Sequence, residues 1–250
     1  MLTDELLTYL FDGKPHILSQ PMTEWLSSRR FSAFVQTVRD KIRKKIRVTQ
    51  DPETILDLQL ELETAYRLLQ ERALNLAYEP QLAEKIRSAD FAVTFTTSLT
   101  FMLEVTRLRT EKKNPAAGEQ TPATSLTIGE RLADTACSKL EQLLPQSSNV
   151  LLVGVDTPGL TENDIRAAML RTQQRVERSD PAFFQRYPFR DRAEFFGHYQ
   201  RLSEILVRRT DVHGAESLVT WVNPQAKHPL PSKVRTVLYR SLTMDNIGAF

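Results

Sequence analysis

The chain reads as an α/β protein: a mixed sheet of four or five strands flanked by helices, over residues 51–250, with an N-terminal helical extension over residues 1–50. Three observations predict this. Apolar residues recur at helical spacing through 28–73, and short β-branched and aromatic runs replace that texture between 75 and 105. An unbroken apolar run, "NVLLVGVD" (149–156), then sits between two helix-like segments, the pattern of a strand covered on both faces.

Taken in order, "RRFSAFVQTVRDKIRKKIR" carries Phe31, Phe34, Val35, Val38 and Ile42 on one helical face, with Arg39, Arg43, Lys44 and Arg47 mostly elsewhere on the wheel. Asp51 can cap a new helix, and Pro52 suits its first position because the missing N–H is not needed there. That helix is expected over 52–73, burying Ile55, Leu58, Leu62, Ala65 and Leu69. Glu61 falls about 40–60° from Leu58 and Ala65, at the edge of the buried stripe, and Glu63 nearer the polar side. Strands are expected at 75–80, 90–95 and 99–105, with "TTS" (96–98) as the turn between the last two. The polar, Pro-containing stretch 111–125 reads as a loop, and 129–144 as a helix leading into the apolar strand. Thr161 and Asp164 signal a capped helix running to about 177. The aromatic-rich segment 181–208 is expected to be helical near its end, followed by a strand at 216–224 and a final helix from 232.

Composition narrows the function classes. The chain is 41% hydrophobic and 26% charged, ordinary values for a globular protein. The longest apolar run is too short to cross a bilayer, and "MLTDELLTYLF" lacks a basic leader and a small-residue cleavage site. With a single cysteine, Cys137, which reads as a small helix-face residue, the expectation is a cytoplasmic protein with no membrane partner. The formal charge of +2 announces no bulk nucleic-acid affinity, yet residues 28–47 hold eight Arg or Lys against one Asp. Arg39, Arg43, Lys44, Lys45 and Arg47 are therefore candidate phosphate contacts.

Familiar catalytic motifs are missing. "VGVDTPGL" (153–160) contains a DxxG after an apolar strand, but no phosphate-cradling GxxxxGK[ST] loop accompanies it. His16, His198, His213 and His228 are scattered, and there is no CxxC, HxxxH or GxSxG. What remains is carboxylate chemistry. Alternation puts Glu104 and Thr106 on one face of their strand, and Asp90, opening the neighbouring antiparallel strand, can approach Glu104 across the sheet. Two carboxylates about 4 Å apart repel by roughly 4 kcal/mol at an effective dielectric near 20. Such a pair calls for a shared proton, a basic partner or a divalent cation, and Mg²⁺ suits carboxylate and carbonyl oxygens.

The stretch "LELETAYRLLQERALNLAYEPQLAEKIRSADFAVTFTTSLTFMLEVTRLR" (60–109) resembles the core of the PD-(D/E)XK nuclease superfamily. The resemblance implies a restriction-endonuclease-like fold, in which a helix supplies a Glu, one hairpin strand carries "PD" and the next ends in "(D/E)xK". Asp90 matches the Asp of the first half-motif, with Ala89 in place of Pro, and Glu104 matches the second acidic residue. Glu61, or Glu63 in its stead, matches the helix Glu. By this resemblance Asp90, Glu104 and the Val105 carbonyl would ligate Mg²⁺. The motif lysine falls on Thr106, whose hydroxyl carries no charge and is a poor base near neutrality. Two functions follow as expectations. One is a degenerate, non-catalytic or weakly active relative that binds DNA, RNA or a protein partner. The other is a Mg²⁺-dependent phosphodiesterase whose lysine role has moved, with Arg107, Lys85 and Lys139 as candidates.

Overall fold

The computed structural model of the chain describes residues 3–49, 51–80, 89–109, 127–156, 159–210 and 216–243. Along the chain run α1 (Thr3–Phe11), α2 (Ser19–Trp25), α3 (Arg29–Val48), α4 (Pro52–Gln70), β1 (Leu74–Tyr78), β2 (Phe91–Phe95) and β3 (Leu99–Arg107). They are followed by α5 (Ile128–Lys139), a 3₁₀ turn (Leu140–Gln142), β4 (Asn149–Val155), α6 (Glu162–Glu177), α7 (Pro181–Arg186) and α8 (Arg192–Tyr199). β5 (Leu202–Thr210), β6 (Glu216–Val222) and α9 (Ser232–Thr243) complete the order. The protein is thus α/β, with strands paired in both senses and helices beside them. The chain divides into two compact units, residues 1–106 with 231–250, and residues 107–230. Helices α3 and α4, on either side of the boundary expected at 50/51, both belong to the first unit.

In the first unit β1, β2 and β3 form an antiparallel meander. The tight turn at Thr96–Ser98 places Phe91 opposite Leu103, so that Asp90 stands one step beyond that pair, beside Glu104. Helix α4 starts as its sequence dictates: the Asp51 carboxylate accepts from the Thr54 N–H at 3.2 Å, and Pro52 sits in the first turn. Its far end is held by Arg30 of α3, whose guanidinium donates to the carbonyls of Leu69 (2.8 Å) and Glu71 (2.7 Å). Leu58, Leu62, Ala65 and Leu69 are buried as expected, whereas Ile55 is only half-buried. Trp25, Phe31, Phe34, Tyr66, Tyr78 and Phe91 pack in a continuous run of ring contacts that binds α2, α3, α4, β1 and β2 into one core. Helix α9 returns to α4, where Arg240 pairs with Glu71.

In the second unit β4 runs parallel to β5, and β5 antiparallel to β6. Leu151, Val153 and Val155 of β4, with Ile205 and Val207 of β5, face a core built from α5, α6 and the aromatic residues of α7 and α8. Cys137 is buried on α5 and Trp221 on β6, both as core residues. Burial pushes the Cys137 thiol up to about 12. The cap read at Thr161 is a reciprocal box: the Thr161 hydroxyl accepts from the Asp164 N–H, and the Asp164 carboxylate accepts from the Thr161 N–H at 2.8 Å.

One expectation fails. The end of segment 181–208 is strand β5, and the described residues hold six strands, not four or five. Leu202, Ile205 and Leu206 mimic helical spacing. Strand β5 lies between β4 and β6, and every residue from Leu202 to Arg208 is buried, including Glu204. Burial on both faces erases the alternation that would have revealed a strand. The expected loop at 111–125 lies outside the described residues.

Candidate functional site

The first unit brings together three of the carboxylates singled out by sequence. The β2–β3 register carries Asp90 to Glu104 across the hairpin, and α4 supplies Glu61 from the adjoining layer. Asp90 Oδ2 accepts a hydrogen bond from the Val105 N–H at 2.8 Å. Burial raises the Asp90 carboxyl to about 8, and the charges of Glu104 and Glu61 add to the effect against the Val105 N–H and Lys45. Glu104 is buried, 6% exposed. Glu63 turns elsewhere and pairs with Arg67 at 3.0 Å, which leaves Glu61 as the helix carboxylate of the cluster.

The cation of this cluster comes from a place the motif does not foresee. Lys45 of α3 donates to Glu61 Oε2 at 2.8 Å and approaches Glu79 Oε1 at 3.0 Å. Its ammonium also lies 4.8 Å from the centroid of the Tyr78 ring, a distance at which the ring face attracts a cation. The Tyr78 hydroxyl donates to the same Glu61 oxygen at 2.8 Å. Burial opposes the charge on Lys45, but Glu61 and Glu79 outweigh it and hold the lysine above its ordinary pKa. Burial, reinforced by Glu61, pushes the Tyr78 phenol upward too, so it remains a donor. One turn earlier, Lys41 donates to the carbonyls of Tyr78 (3.2 Å) and Glu79 (3.1 Å). Glu79 itself adopts a left-handed backbone (φ 43°), and its N–H donates to the Asp90 carbonyl at 2.8 Å, joining β1 to the residue that opens β2.

Lys45, expected among the phosphate contacts, is paired here with Glu61 and Glu79. The helical wheel held the signal: Lys45 lies about 20° from Val38 and about 60° from Ile42, within the buried stripe. A lysine there needs an acidic partner. Glu79 and Tyr78 carried no such signal.

The remaining expected residues are dispersed. Thr106 is half-buried near the end of β3, on the Glu104 side of the strand. Arg107 pairs with Asp156 at 2.6 Å within the second unit, and Lys139 ends α5 there. Lys85 and His213 lie outside the described residues. On α3, Arg43 and Arg47 both grip Asp12, the latter through two bonds of 2.9 and 2.8 Å. Those bonds, Arg47's first and then Arg43's, hold the Asp12 carboxyl down at about 2. Arg39 lies 5.2 Å from the centroid of the Tyr9 ring and 3.8 Å from Asp40, and Lys44 is exposed. Together Tyr9, Asp40, Arg43, Lys44, Arg47 and Val48 line a groove of about 350 Å³ against α3. The Arg43 Nε is buried there without a hydrogen-bond acceptor among the described residues.

Around the residues expected to hold Mg²⁺, some carboxylate oxygens already have hydrogen-bond partners. One Asp90 oxygen is taken by the Val105 N–H, and Glu61 by Lys45 and Tyr78. Among the described residues no group of three or more His, Cys, Asp or Glu side chains is placed to hold a metal ion. Comparison of the chain with protein-family models, curated proteins and solved structures yields no match in any of the three.

Proposed function

We propose that the protein is a PD-(D/E)XK nuclease-like protein of restriction-endonuclease-like fold that has kept the acidic cluster without the catalysis, and that it binds nucleic acid along α3. The observation that carries the non-catalytic part is the Lys45 ammonium seated on Glu61 and Glu79 beside Asp90. An uncharged Thr106 at the motif's lysine position supports the same reading. A cluster neutralised from within holds its charges in fixed ion pairs and has no free carboxylate pair to polarise a water. The nucleic-acid part is supported by the α3 groove, where Arg43, Lys44 and Arg47 exceed Asp40 and Asp12 by one charge, with the exposed Lys44 as the contact suited to backbone phosphates.

Both parts are tested with purified protein. Fluorescence anisotropy with labelled duplex DNA, single-stranded DNA and RNA at low salt is expected to show binding in the micromolar range, roughly 10⁻⁴–10⁻⁶ M. Lys44→Glu should weaken it by about tenfold. Absence of binding to all three probes would overturn the nucleic-acid assignment and leave a protein partner as the reading. Incubation with Mg²⁺ or Mn²⁺ is expected to produce no cleavage above an Asp90→Ala/Glu104→Ala control. Metal-dependent cleavage that disappears in that control would instead establish a nuclease.

A further inference from the structure

We infer that Lys45 is the resident cation of the carboxylate cluster and excludes divalent metal from it. The inference rests on reading Glu61, Asp90 and Glu104 as a nuclease-like carboxylate set, and goes beyond it by naming what occupies that set.

A buried group of carboxylates must be neutralised by protons, by an organic cation or by a metal ion. Here an organic cation is in place: the Lys45 ammonium meets Glu61 and Glu79 at hydrogen-bond distance. The lysine side chain is only partly exposed, at 30%. It projects from the buried stripe of a 20-residue helix, with Ile42 and Ile46 of the same helix buried beside it. Lys41, one turn away, fastens that helix to the backbone of Tyr78 and Glu79, so the ammonium arrives at a fixed position. The Tyr78 ring and hydroxyl complete its surroundings, the ring beneath the cation and the hydroxyl on the shared Glu61 oxygen. A divalent ion would have to take Glu61 from both Lys45 and Tyr78, and Asp90 from the Val105 N–H. Mg²⁺ also requires oxygen ligands at about 2.0–2.1 Å in near-octahedral array, and Glu61 Oε2 already accepts from the Lys45 ammonium and the Tyr78 hydroxyl. Lysine and metal are therefore alternatives at this position, and the sequence has selected the lysine.

The test is a Mn²⁺ titration followed by the electron paramagnetic resonance signal of the free ion, with folding of each variant checked by circular dichroism. The wild-type protein is expected to leave the signal unchanged through the low-millimolar range. Lys45→Met is expected to take up Mn²⁺ at least about tenfold more tightly, and a further Asp90→Asn should abolish that uptake. Should Lys45→Met not fold, Lys45→Gln supplies a neutral side chain that still hydrogen-bonds Glu61. Wild-type binding of Mn²⁺ that is lost in Asp90→Asn would overturn the inference, as would folded neutral variants that gain no binding. The titration reads cation uptake rather than cleavage or nucleic-acid affinity, so its failure is separable from failure of the proposed function.

Discussion

Asp90 is the residue at which burial, charge and backbone geometry meet. Its carboxyl is raised by burial and by Glu104 of β3 and Glu61 of α4, against the Val105 N–H and Lys45 of α3. An unfolded aspartate titrates near 3.8, while the folded one titrates at about 8. The native state therefore holds the proton more tightly. The stabilisation is fully present below the unfolded value and is lost as pH rises toward 8. Thermal denaturation between pH 4 and 8 should show stability falling in the wild type relative to Asp90→Asn, which cannot ionise. Parallel pH profiles for the two proteins would refute this account. At this scale the sequence was partly readable. Asp90, Glu104 and Glu61 emerge from alternation, wheel position and motif, and they do share one neighbourhood. Lys45 escaped because a run of basic residues invites a single explanation, although one member of that run lies on the apolar stripe.

Elements behave as their local signals require wherever those signals are complete. Asp51 with Pro52, and Thr161 with Asp164, mark helix starts by satisfying N–H groups that the first turn leaves unpaired. Replacing Thr161 with Ala removes the acceptor for the Asp164 N–H and should cost about 1 kcal/mol in chemical denaturation. A change within a few tenths of a kcal/mol would mean that Asp164 alone sustains the cap. Strand β5 shows the opposite situation. Both of its faces are buried, so the alternation that identifies β1 and β2 has no counterpart there. The C-terminal end of α4 is a further case: the Arg30 clamp on its last carbonyls reaches back 39 and 41 residues, and no local pattern encodes it.

At the scale of the molecule, charge is nearly balanced at +2, and the densest basic run is α3. Even there Asp12 occupies Arg43 and Arg47, and Lys45 is turned to the carboxylates. Few cations remain to release counterions, so the logarithm of nucleic-acid affinity should fall with the logarithm of salt at a slope no steeper than about −4. A steeper slope, measured by anisotropy between 20 and 200 mM salt (about a tenfold range), would place phosphate contacts beyond the α3 groove. No helix among the described residues is long and apolar enough to cross a membrane.

The sequence by itself determined the α/β class, most helix and strand positions, the caps and the pairing of Asp90 with Glu104, because each depends on residues close in the chain or on one hairpin register. Tertiary structure alone decided that β5 is a strand, that α9 returns to the first unit, and that Lys45 neutralises Glu61 and Glu79. These depend on which distant surfaces come to cover a segment. A lysine on an apolar stripe reveals that it needs an acid, and only the packing of α3 against α4 and β1 shows which acid it finds.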